Sequence, residues 1–171
     1  MKLSQVEELS IKMHSGSYSE NVIIKEIKNV KNLEETDRDG RTLLVNAAFY
    51  NCLGVVEHLI QCGVNLNAKD KMGYTALHAA AQEGNIEIIE KLLENGVDVN
   101  IKNFFGNSPL MVVRMINRPI KTIAMLLCYG ADPHQKNNYG NSAVDIFISN
   151  PEITSLLTNH VCQSGDVIGE S

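Results

Sequence analysis

The sequence predicts an all-α solenoid of about five stacked helix-turn-helix units joined by β-hairpin loops. Three observations carry this reading. Gly40, Gly73 and Gly106 lie 33 residues apart with Gly140 following 34 later, and Gly63, Gly96 and Gly130 keep the same steps, which marks an internal repeat. Between the two glycine series the text recurs, first as "DRDGRTLLVNAA", "DKMGYTALHAAA", "NFFGNSPLMVVR" and "NNYGNSAVDIFI", then as "VVEHLIQCGVNLNAK", "IIEKLLENGVDVNIK" and "TIAMLLCYGADPHQK". Each unit joins a hydroxyl residue suited to a helix start with two short apolar-faced stretches, neither long enough to bury its face alone.

Taken in chain order, "NLEETD" at 32–37 aligns with "NLNAKD" at 65–70, so residues 1–36 read as an N-terminal capping unit. Its two helices fill about 3–31 and turn at Ser15 to Ser17. Residues 37–69 form the first full repeat and 70–102 the second. In the second, Gly73 permits the positive φ of a hairpin tip, and Thr75 caps the following helix, as Thr42, Ser108 and Ser142 are placed to do. Leu77, Ala80 and Ala81 give that helix an apolar side small enough for close approach, and Gly84 ends it. Ile86, Ile88, Ile89, Leu92 and Leu93 make the face of a second helix, which Gly96 closes in the left-handed conformation. Repeat three, 103–136, departs: Val113 and Arg114 stand where repeat two has alanines, and an extra residue precedes Pro119, so its inner turn is rebuilt. Residues 137–162 form a C-terminal capping unit, with helices near 142–149 and 151–160 and Pro151 in a permitted first turn. The stretch "QSGDVIGES", 163–171, has little to pack and reads as a flexible tail.

Residues 70–100 match the pattern DxxGxTxLHxAA…GxxxIIxxLLxxGxDVN almost throughout, and the chain resembles the ankyrin repeats. The resemblance implies an ankyrin solenoid in a single domain over 1–162. It also implies that His78 supports the hairpin and helix start by hydrogen bonds, and that Asp145 takes over a similar position in the last unit.

Composition excludes several function classes. The chain of 171 residues carries a formal charge of -5 with no basic block, which speaks against a phosphate-driven nucleic-acid binder. No apolar run approaches the ~18 residues of a bilayer span, and "MKLSQVEELS" lacks a signal-peptide core, so no membrane partner and a cytoplasmic location are expected. Cys52, Cys62, Cys128 and Cys162 are widely spaced, which suggests reduced thiols with neither disulfides nor a metal site. No phosphate loop, HExxH or GxSxG occurs, so no catalytic residue and no cofactor is assigned. The remaining histidines are scattered, and the pairs Glu7 with Glu8 and Glu34 with Glu35 read as solvated faces.

What remains is a surface. In ankyrin repeats, the resemblance implies, partners are touched by the hairpin tips and the end of each first helix. Those positions hold Phe49, Tyr50, Met72, Tyr74, Phe104, Phe105, Met115 and Tyr139, with Arg38, Arg41, Lys71 and Arg114 as a basic rim. Six of the nine aromatic residues fall there, where packing within a repeat does not require them. The expected function is a non-enzymatic module that binds and occludes a protein partner through its concave face and hairpin tips, as a monomer or in a 1:1 complex. A bacterial immunity protein neutralising a toxin suits the small chain rich in Lys, Asn and Ile. The alternative is a cytosolic scaffold, or an inhibitor of a signalling or transcription factor, including a viral mimic of a host inhibitor.

Overall fold

The computed structural model describes residues 3–114 and 119–158. Five units follow one another: α1 (Gln5–Ser15) with α2 (Glu20–Ile27), α3 (Leu43–Phe49) with α4 (Leu53–Gln61), α5 (Ala76–Glu83) with α6 (Ile86–Glu94), a 3₁₀ turn (Pro109–Val112) with α7 (Pro119–Cys128), and α8 (Ala143–Ile146) with α9 (Pro151–Thr158). The first members of the pairs pack on one another in chain order and form one layer, and α2, α4, α6, α7 and α9 form the second. The core lies between and within these layers as columns with the repeat period. Leu44, Leu77 and Leu110 make one column, Val56, Ile89 and Ile123 another, and Leu59, Leu92 and Leu126 a third, all buried.

In the first members of the pairs the helix starts follow the cap chemistry with one exception. Thr42 accepts the Val45 N–H at 3.3 Å, while Thr75 with His78, and Ser142 with Asp145, form reciprocal capping boxes. Ser4 and Glu7 do the same for α1, so Glu7 has a structural task. Ser108 does not cap. Its hydroxyl is buried without a side-chain cap bond, and Pro109 opens a short 3₁₀ turn that breaks at Val113 into extended backbone. The positions of Ala79 and Ala80 in α5 are taken here by Val112 and Val113, which are β-branched and form helix less readily than alanine. The rebuilt stretch with the extra residue before Pro119 falls at 115–118, and the tail at 163–171; both lie outside the described residues.

Neighbouring units are sewn together on two sides. Each hairpin opens with an Asp or Asn whose Oδ1 accepts two backbone N–H groups across the turn, as Asp70 does from Met72 and Tyr74 at 2.8 Å each. Asp37, Asn103 and Asn137 repeat the device. Successive tips are then cross-linked, Lys71 N–H donating to the Asp39 carbonyl at 3.0 Å, Phe104 to Met72 at 3.1 Å and Asn138 to Phe105 at 3.1 Å. The expected hairpins are therefore tight turns, each joined to the next by one backbone hydrogen bond, and no strand occurs among the described residues. Beyond the second helices, Glu34 accepts from Asn65 N–H at 2.7 Å, Asn67 from Asp98 at 3.0 Å and Asn100 from Asp132 at 2.8 Å. Glu34, expected to be merely solvated, is the first rung of this series.

His78 ties α5 to the next hairpin. Its Nδ1 accepts from the Thr75 hydroxyl at 2.9 Å and backbone N–H at 3.3 Å, and its Nε2–H donates to the Asn107 carbonyl at 3.0 Å. With both nitrogens engaged in this sense the ring must be neutral, and burial lowers its pKa from 6.5 to about 4 despite the favourable Asn107 bond.

Two expected outcomes follow from this construction. At Gly73 (φ 79°) an added Cβ would fall 2.6 Å from the Phe104 nitrogen and 2.8 Å from its Cδ1, whereas at Gly140 (φ 80°) nothing lies within 4 Å. Gly140→Ala should cost only the left-handed strain of about 1–2 kcal/mol, and Gly73→Ala clearly more in urea denaturation; equal losses would refute the close stacking of tips. For His78, the unfolded chain takes up the proton first as pH falls. Stability is thus complete above about pH 6.5 and declines down to about pH 4, by roughly 3 kcal/mol in all. Urea midpoints across that window should lose this slope in His78→Gln, and an unchanged slope would place the titration elsewhere.

Candidate functional site

The hairpins project over the ends of α3 and α5, and between them lies a cavity of about 230 Å³. Val45 and Ala79 line it from the helices, with Arg41 and Phe49 from repeat one, Met72, Tyr74 and Gln82 from repeat two, and Phe105 from repeat three. It exists because α5 carries an alanine at a point overlooked by the larger side chains of three successive hairpins. Five of the sequence-predicted residues, Arg41, Phe49, Met72, Tyr74 and Phe105, meet there.

Aromatic contacts fix the walls. The Arg41 guanidinium lies over the Phe49 ring at 5.6 Å, and Phe49 meets Tyr50 edge to face at 5.1 Å. Tyr74 tilts against His78 at 5.2 Å, and partial burial pushes its hydroxyl pKa up. At the polar end, Arg41 Nε stands 3.8 Å from Asp70 Oδ2, while the other oxygen of Asp70 is occupied by the hairpin N–H groups.

The other predicted residues are distributed differently. Phe104 and Tyr139 stand at the tips with 63% and 70% of their surface exposed, beside Met72 at 50%. Tyr50 does not reach the cavity; it packs against the core with its ring 5.0 Å from that of His14 in the capping unit. Of the basic rim, Arg38 pairs with Glu7 at 2.7 Å and Arg114 with Glu83 at 3.4 Å, while Lys71 Nζ donates to the Arg38 carbonyl at 2.6 Å. Met115 lies outside the described residues. Sequence reasoning missed Val45, Asp70, Ala79 and Gln82, of which only Asp70 carries a signal, as the first letter of the hairpin motif.

The chemistry offered is recognition. Among the described residues no group of three or more His, Cys, Asp or Glu is placed to hold a metal ion, and no helix is long and apolar enough to cross a membrane. Cys52 and Cys62 are free thiols, and burial with the nearby Glu20 carboxylate pushes the Cys52 pKa up to about 11, far from a reactive thiolate.

A family model described as ankyrin repeats (3 copies) matches residues 13–103, more than half of the chain. The chain belongs to the ankyrin-repeat family. No curated protein matches it. The match runs from α1 to the start of the third hairpin, and the stacked ankyrin architecture continues beyond it through α9. Ankyrin repeats generally serve as non-catalytic modules that bind protein partners.

Proposed function

We propose that this ankyrin domain binds and occludes a protein partner with the hairpin tips and the first-helix side beneath them. The observation that carries the reading is the run of exposed Met72, Phe104, Phe105 and Tyr139 on adjoining tips whose backbones are bonded to one another. Exposed apolar clusters of this kind mark interaction sites, and a surface held in place by the fold loses little entropy on binding. Its finer form, an immunity protein that occupies a toxin, draws on the Lys-, Asn- and Ile-rich composition. A toxin reading frame beside the gene, with a product that co-purifies with this chain, supports that form; a co-purifying partner without toxin activity overturns it.

The test is co-purification from the native source, mass spectrometry of the partner, and titration of variants against it. Phe104→Ala combined with Phe105→Ala should weaken binding at least about tenfold, roughly 1.4 kcal/mol. Glu87→Ala combined with Glu90→Ala, on the second-helix layer, should leave it intact. Loss of binding in the glutamate pair alone would move the partner to the opposite layer.

A further inference from the structure

Size, lining and charge together restrict what the cavity can hold. Its volume of about 230 Å³ lies below the ~300–1,000 Å³ of sites that enclose whole small molecules, and leaves room for one large side chain. Phe49, Tyr74, Phe105 and Met72 line it around a floor of Val45 and Ala79, so three aromatic rings and a thioether make most of the wall. The two charged residues of the lining, Arg41 and Asp70, are of opposite sign and stand 3.8 Å apart. The lining as a whole is therefore neutral.

Both charges are held where they are. Asp70 is buried, and its Oδ1 accepts the N–H groups of Met72 and Tyr74 at 2.8 Å each, so it cannot turn to a ligand without opening the hairpin. The Arg41 guanidinium lies over the Phe49 ring at 5.6 Å. A carboxylate brought to Arg41 would stand close to Asp70, and an ammonium brought to Asp70 would stand close to Arg41. Attraction and repulsion at similar distances largely cancel, while the cost of taking the incoming charge out of water remains. A neutral group escapes that cost. Among neutral groups an aromatic ring gains most, through offset or edge-to-face contacts with the three rings and a sulfur contact with Met72.

We propose, building on the interaction reading above, that the cavity receives one uncharged aromatic side chain of the protein partner, and that the closed Arg41–Asp70 pair makes the site indifferent to the sign of neighbouring charge. The anchor enters beside Met72 and Phe105, in line with the exposed rings of Phe104 and Tyr139 on the tips. Selection here is by shape and aromatic contact.

The probe is a pentapeptide blocked at both termini, Ser-Gly-Phe-Gly-Ser, titrated into the isotope-labelled full chain and followed at the backbone amides of Val45, Met72, Ala79 and Phe105. Comparison peptides carry Ala for Phe, or two aspartates or two lysines for the serines. The Phe peptide should shift these amides and bind at least about tenfold more tightly than the Ala peptide, by an amount that salt changes less than about twofold. The aspartate and lysine peptides should bind no better than the serine peptide. Arg41→Gln leaves Asp70 without its cation, and should make the lysine peptide bind at least about threefold better than the aspartate peptide, a preference that salt removes. Met72→Ala should weaken the Phe peptide with thermal melting unchanged. Equal binding of the Phe and Ala peptides, or a preference for either charged peptide in the natural chain, overturns the proposal, and so does an Arg41→Gln chain that acquires no charge preference. If the Phe peptide fails while Phe104→Ala with Phe105→Ala still disrupts the native partner, the anchor is wrong and the interaction surface stands. If those tip substitutions also leave the native partner bound, the surface itself is wrong.

Discussion

Close stacking of short helices across successive repeats is the constraint from which the rest of this molecule follows. The longest helix described, α1, has 11 residues and α3 only 7, below the ~12–15 at which an isolated helix becomes even marginal in water. Each persists because its apolar face is covered by the units before and after it. The covering works only if backbones come near, and Ala47, Ala48, Ala80 and Ala81, all buried, set that distance. In the third repeat, where Val113 and Arg114 replace the alanines, a 3₁₀ turn over Pro109–Val112 stands in place of the first helix.

The same spacing builds the candidate binding surface. Hairpins carried by closely packed helices come near enough for one tip's N–H to reach the next tip's carbonyl, and only glycine leaves room for that approach at Gly73 and Gly106. Side chains on the tips are thereby set side by side over three repeats, although they are far apart in sequence. The cavity is a by-product of the same arrangement. Its floor is an alanine and a valine from the helix packing, and its rim is made of larger residues from the hairpins and the ends of α3 and α5. Stability and the candidate surface thus draw on neighbouring positions of one repeat, the buried side of the first helix and the tip above it.

Much of this was legible in the sequence, for a physical reason: a repeat writes its contacts at a fixed interval. The glycine period located the units, and cap chemistry located the starts of α3, α5 and α8. Ser108 misled because a cap needs a helix to cap, and the stretch after it forms only a 3₁₀ turn. Glu34 looked solvated because its partner, the Asn65 N–H, belongs to the next repeat's backbone, which leaves no mark in residue type. Tyr50 was placed with the binding residues by its position, but the packing against His14 depends on how the capping unit turns. Ion pairs were the least legible, since Arg38 with Glu7 and Arg114 with Glu83 join side chains from different units. The cavity was not legible at all; its volume is a sum over three repeats that no single motif encodes.

The account's central claim is that the hairpin tips belong to the stacked array and are not loops resting on it. Native-state amide hydrogen exchange measures this directly at Lys71, Phe104 and Asn138, the three donors that join successive tips. The account predicts that these amides exchange in the slow class with the buried residues of α5 and share their response to low urea. Fast exchange at all three, with α5 still protected, would contradict it.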